Sequence, residues 1–138
     1  MAAASAVGAS DLSGTLSDCA AWTDAMDSAA RATPVALPGA DACQPLVLVG
    51  GARGMNCRWA FDFRDRAARA QFDAINEAVA ACFAHSTAAA PEPGVNHPDS
   101  YNQIRHRLGA STIAVALKDK GALGQTLVFV TIEGPPAR

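Results

Sequence analysis

One stretch constrains this chain more than any other: Cys57 to Phe83, CRWAFDFRDRAARAQFDAINEAVAACF. Its hydrophobic period changes partway. Cys57, Trp59, Phe61 and Phe63 alternate with Arg58, Ala60, Asp62 and Arg64, the period of two that marks a half-buried strand. Asp65 follows, and an aspartate there can accept from the free N–H groups of a first helical turn. Beyond it Ala68, Phe72, Ile75, Val79 and Cys82/Phe83 recur every three or four positions, one stripe of a helix. A strand, a tight turn and a helix are therefore expected in direct succession.

The lengths of the two elements are similar. The strand spans roughly 23 Å and the helix, from Arg66, roughly 27 Å. A helix folded back over its strand returns Cys82 to the level of Cys57. This favours a 57–82 disulfide, which would close a loop of about 26 residues and contribute about 3 kcal/mol on the chain-entropy estimate. Two buried free thiols are the plainer alternative.

The cysteines are Cys19, Cys43, Cys57 and Cys82, and no two are closer than 14 positions. Zinc ligands usually come in close pairs such as CxxC, and this chain has none. An even, spread set fits two disulfides and an oxidising compartment, with 19–43 and 57–82 the expected pairing. A periplasmic or secreted location follows, with any signal peptide already removed; free cysteines would instead point to the cytoplasm. Residues 1–10, MAAASAVGAS, lack a basic n-region and an apolar h-region and are expected as a flexible arm before a single domain over 11–138.

Elsewhere the pattern gives a first helix from near Asp11 or Ser13, with Leu12, Leu16, Cys19, Thr23, Met26 and Ala30 as its apolar stripe, Trp22 beside it and Arg31 closing it. Pro34 and Pro38-Gly39 end it, and Thr33–Gln44 is irregular. Leu46–Val49 reads as a short strand, joined to the strand at Cys57 through the loose loop GGARGM. His85–Asn96 reads as an exposed loop. Tyr101–Leu108, Ser111–Lys118 and Gln125–Glu133 read as an antiparallel meander. The order α-β-β-α-β-β-β implies an α+β two-layer sandwich: a mostly antiparallel five-stranded sheet with two helices on one face. The helices should cover Trp59, Phe61, Phe63, Ile113, Val115 and Leu117.

Composition narrows the function. A net charge of −2 lacks the positive field of a general nucleic-acid binder, and no apolar run reaches a membrane span. Nine arginines against two lysines in an alanine-rich chain resemble the usage of GC-rich bacterial genomes. As a type, the sequence resembles the small cysteine-bridged exported domains of bacteria. No cofactor or metal motif is present. Gly50, Gly51 and Gly54 follow a strand but precede another strand, whereas a phosphate cradle needs a helix next.

Two kinds of chemistry remain. The loop Asn96–Tyr101 gathers His97, Asp99, Ser100 and Tyr101, a set able to serve as general base, orienter and nucleophile. The same residue types also form turns for backbone reasons. His106, in phase with Ile104 and Leu108, reads as a packed, hydrogen-bonded histidine. The second candidate is the sheet face turned away from the helices. Alternation places Arg58, Ala60, Arg64, Tyr101, Gln103, Arg105 and Arg107 there, over a floor of Thr112, Ala114 and Ala116. Arginine and tyrosine are favoured at binding surfaces. Arg58, Arg64, Tyr101, Arg105 and Arg107 are the expected binding residues, for a protein partner, an acidic group or a second copy. The leading expectation is a non-enzymatic binding module; the alternative is a small hydrolase-like or ligand-binding enzyme domain using the His97–Tyr101 loop.

Overall fold

A computed structural model describes residues 16–89, 94–96 and 99–136, the side chains of 94–96 and 99–101 excepted. Helix α1 is Cys19–Ser28. Strands β1, Ala42–Val47, and β2, Arg53–Asp62, form a hairpin. Helix α2, Arg66–Cys82, follows. Two short strands come next, β3 at Thr87–Ala88 and β4 at Gly94–Asn96. The long strands β5, Asp99–Leu108, β6, Ser111–Lys120, and β7, Gln125–Glu133, complete the chain. All pairings are antiparallel, in the order β1-β2-β7-β6-β5-β3, with β4 also on β5. The α+β class and element order are those expected, and the five long strands are present. The segment expected as a bare loop, 85–96, instead contributes β3 and β4, which pair with β5.

The core forms where the period-2 face of the sheet meets the helices. Met55, Cys57 and Trp59 of β2, Ile113 and Val115 of β6, and Val128, Val130 and Ile132 of β7 are buried in one cluster with Ala68, Phe72, Ile75 and Val79 of α2. Phe61 and Leu117 are partly buried against it. Phe63 is not: it lies past the end of β2 and is 39% exposed. The strand stops there because Arg64 turns left-handed (φ 57°) and the Asp65 carboxylate accepts from the Ala67 N–H at 2.9 Å to start α2.

The first helix differs in start and phase. Asp18, in extended conformation, caps α1 through the Ala20 N–H; the expected residues 11–15 lie outside the described ones. The buried residues of the helix and its cap are Trp22, Ala25, Ser28 and Ala29; of the expected stripe, Leu16 is buried just before the helix and Met26 packs against the core, while Cys19, Thr23 and Ala30 are exposed. Trp22, expected at the flank, is the anchor, its indole N–H donating to the Leu16 carbonyl. Thr23 is exposed and donates back to the Cys19 carbonyl. Burial of one large ring outweighs a stripe of small residues. Arg31 lies beyond the Ala29 C-cap, and the last turn of α1 has no basic residue.

Both hairpin strands begin earlier than expected. The connection between Leu48 and Ala52 is tight: the Leu48 N–H donates to the Ala52 carbonyl at 2.7 Å and the Gly51 N–H to the Leu48 carbonyl at 2.9 Å. Gly50 and Gly51, at φ 91° and 89°, take left-handed positions that side chains resist. Gly54 is needed for another reason: a Cβ there would collide with the Ile132 carbonyl across β2 and β7. Pro45 is tolerated because β1 is an edge strand. The Leu48–Ala52 bond sets the hydrogen-bonding parity, so Pro45 directs its missing donor toward the open edge.

Two disulfides form, as expected in number, but the pairing is Cys19–Cys82 and Cys43–Cys57. This corrects the 19–43 and 57–82 pairing. Cys43 and Cys57 are direct cross-strand neighbours in the hairpin register, with Cα atoms 4.0 Å apart. Helix α2 packs chiefly over β6 and β7 and less over β2. Its last residue therefore meets Cys19, the first residue of α1, at a Cα separation of 5.2 Å. Matching element lengths left the lateral position of Cys82 open.

Candidate functional site

The sheet carries both helices on one face, and the other face has no helix or strand over it among the described residues. Its floor comes from small side chains of the central strands. Ala114 lies between Arg105 of β5 and Thr131 of β7, and Ala116 between Gln103 and Phe129. Both alanines are 4% exposed, and Leu127 is 7% exposed. None of the three belongs to the core under the helices. Their taller neighbours on the sheet surface keep them from water.

The taller side chains form the rim. Arg105 reaches across β6 to Glu133 of β7 at 3.6 Å, over the low profile of Thr112 and Ala114. The Lys118 ammonium sits 5.3 Å from the centre of the Phe129 ring, a cation–π contact. Phe129 is flanked across the next strand by Arg58. Arg58 and Arg107 are exposed, and neither makes an ion pair or side-chain hydrogen bond among the described residues. Of the expected binding residues, then, Arg58, Arg105 and Arg107 stand on this face. Tyr101 occupies a β5 position of the same parity as Gln103, by backbone register. Phe129, Leu127 and Lys118 were missed, although the alternation of β7 and β6 places them here.

Arg64 is elsewhere. Its Nε lies 3.3 Å from Asp119, its N–H donates to the Thr126 hydroxyl at 2.7 Å, and that hydroxyl donates to Asp119 at 2.7 Å. This closed ring ties the β2–α2 turn to the far end of the β6–β7 hairpin. The Arg64 side chain, 63% exposed, pairs with Asp119 at the sheet's end.

The enzyme candidates are not assembled by the described residues. His97 lies outside them, as do the side chains of Asp99 and Tyr101. His106 is a packed histidine, 2% exposed. The Asn76 amide nitrogen donates to the Phe72 carbonyl at 2.9 Å, so its oxygen is the acceptor for His106 Nε2 at 2.7 Å. Nδ1 has no partner among the described residues, and burial lowers the pKa from 6.5 by desolvation. A hollow of about 470 Å³ lies at the end of α2 between Phe83, His85 and Leu108; others of about 260 and 210 Å³ lie beside the β1–β2 turn and the start of α2. His106 lines none of them. Among the described residues no cluster of His, Cys, Asp or Glu could hold a metal ion.

Two disulfide-bonded pairs fit an extracellular or periplasmic protein, and no described helix is long and apolar enough to cross a membrane. Comparison with protein-family models, with curated proteins and with solved structures gives no match for this chain.

Proposed function

We propose that this chain is an exported bacterial binding module that docks a partner polypeptide on its open sheet face. One observation carries the reading: an alanine and threonine floor without helical cover, bordered by Phe129 and by Arg58 and Arg107, whose guanidinium groups have no partner among the described residues. The side chains that cover this floor, Phe129, Lys118, Arg105 and Glu133, supply the surface that a partner meets. Aromatic and arginine side chains at the border are the types that most often anchor such contacts. The disulfides suit a domain that keeps its shape where thiols are oxidised.

Peptide selection tests this reading. Displayed random peptides are panned against the oxidised protein and counter-screened on the Arg105→Glu/Arg107→Glu double variant. The expected result is a set of enriched peptides that lose binding to the variant by tenfold or more. Enriched peptides that bind both proteins equally would place recognition on another surface and reject the reading.

A further inference from the structure

The two faces of the molecule carry opposite charge. The helical layer, Asp18–Ser28 with Asp65–Cys82, has six carboxylates (Asp18, Asp24, Asp27, Asp65, Asp73, Glu77) against Arg66 and Arg69. The sheet face has five cations, Arg58, Arg105, Arg107, Lys118 and Lys120, against Asp62, Glu133 and, by register, Asp99. A chain of net charge −2 therefore presents a basic sheet and an acidic back. Composition conceals this, because segregation requires the strands to be paired in register.

We infer that the partner of the sheet face is an acidic, extended polypeptide segment. The inference rests on the docking role proposed above and adds the chemistry of the occupant. Arg58 and Arg107, the cations of this face without a partner among the described residues, set its spacing. Arg58 and Arg107 are separated by three strand steps, since β7 and β6 lie between β2 and β5. Along the strand direction they are offset by four residues, because Arg58 pairs with Phe129 while Arg107 pairs through Thr112 with Glu133. At about 4.8 Å per strand and 3.3 Å per residue the two backbone positions are about 19 Å apart. An extended segment spans that distance in about six residues. Two carboxylates about six positions apart, with small or apolar residues between them over Phe129 and the alanines, match this face.

Other occupants fit less well. A second copy meeting the same face about a twofold axis sets cations against cations. A nucleic acid, uniformly anionic, would meet Glu133 and Asp62 on the face and a net negative protein behind it.

The experiment uses the full oxidised chain and a synthetic seven-residue peptide, Glu-Thr-Val-Thr-Val-Thr-Glu, with its Gln-ended analogue. Amide shifts are followed by NMR at about 20 mM salt. The Glu peptide should move the resonances of β5, β6 and β7, Ala114 and Ala116 included, and bind at least fivefold tighter than the Gln analogue. Binding should weaken at least fivefold at 0.3 M salt, as screening requires, and be lost in Arg58→Glu/Arg107→Glu. Asp24→Lys/Asp27→Lys, on the opposite face, should leave it intact. Equal binding of the two peptides at this face would overturn the acidic partner while leaving the docking role standing. Absence of shifts on this face with either peptide would overturn both. Tighter binding of a single-stranded oligonucleotide than of the Glu peptide would overturn the choice of polypeptide.

Discussion

At the scale of single residues, Gln71 and His106 are, with Trp59, the buried side chains that keep a polar atom unpartnered among the described residues. Gln71 is 1% exposed on α2, and neither amide atom has a hydrogen-bond partner among the described residues. An unmet buried amide costs about 1–3 kcal/mol. Gln71→Met, close in shape and without that demand, should raise the unfolding free energy by about 1–2 kcal/mol, read from urea melts. A loss of stability would show that the amide is satisfied in solution. The second group is His106. Its folded pKa lies below 6.5, so between the lowered and the ordinary value the unfolded chain binds a proton that the folded chain refuses. Stability is then fully present above about 6.5 and falls as the pH drops through that window, by up to about 1.4 kcal/mol per unit. Urea midpoints between pH 7.5 and 5.5 should show this decline, and His106→Gln should flatten it. His106 sits in a hydrophobic phase that the sequence registers; only the packing of α2 on β5 supplied it with Asn76.

At the scale of elements, the sheet edge and the disulfides make the sharpest claims. β1 exposes Val47 at 64%, and Val49 beyond it is exposed as well, next to an edge whose outward donor at Pro45 is missing. Such an edge resists pairing with another chain. Pro45→Val should restore the donor and raise self-association, seen as a concentration-dependent mass by light scattering; a monomer at all concentrations would count against this role. The disulfides differ in reach. Cys19–Cys82 spans 63 residues of chain and Cys43–Cys57 spans 14. On loop-closure entropy, removing the first by Ala substitution should cost about 4 kcal/mol and the second about 3 kcal/mol. The reverse order in denaturant melts would show that hairpin geometry outweighs chain entropy. The period change at Asp65 was legible because a strand and a helix impose different repeats on adjacent residues. β3 and β4 were not, because strands of two and three residues carry too few positions to show a repeat and owe their pairing to β5.

At the scale of the whole molecule, the energetics and the proposed function reside on different sides of one sheet. The core cluster lies wholly under the helices, and the open face contributes exposed arginines whose removal uncovers little apolar surface. Arg58→Glu/Arg107→Glu should therefore shift the melting temperature by no more than a few degrees. A large drop would mean that the face is bound into the fold. By itself the sequence determined the class of fold, the order of its elements, the strand–turn–helix unit at Cys57–Phe83 and the presence of an open sheet face with Arg58, Arg105 and Arg107 on it. Each of these follows from a local repeat, and a repeat of two or 3.6 is a property of neighbours along the chain. The insertion of β7 between β2 and β6, the exchange of disulfide partners, the pairing of Arg64 with Asp119 at the sheet's end, and the opposite charge of the two faces were decided by the tertiary structure. These depend on which elements lie side by side, and lateral position is set by packing between residues far apart in sequence, where local periodicity carries no information.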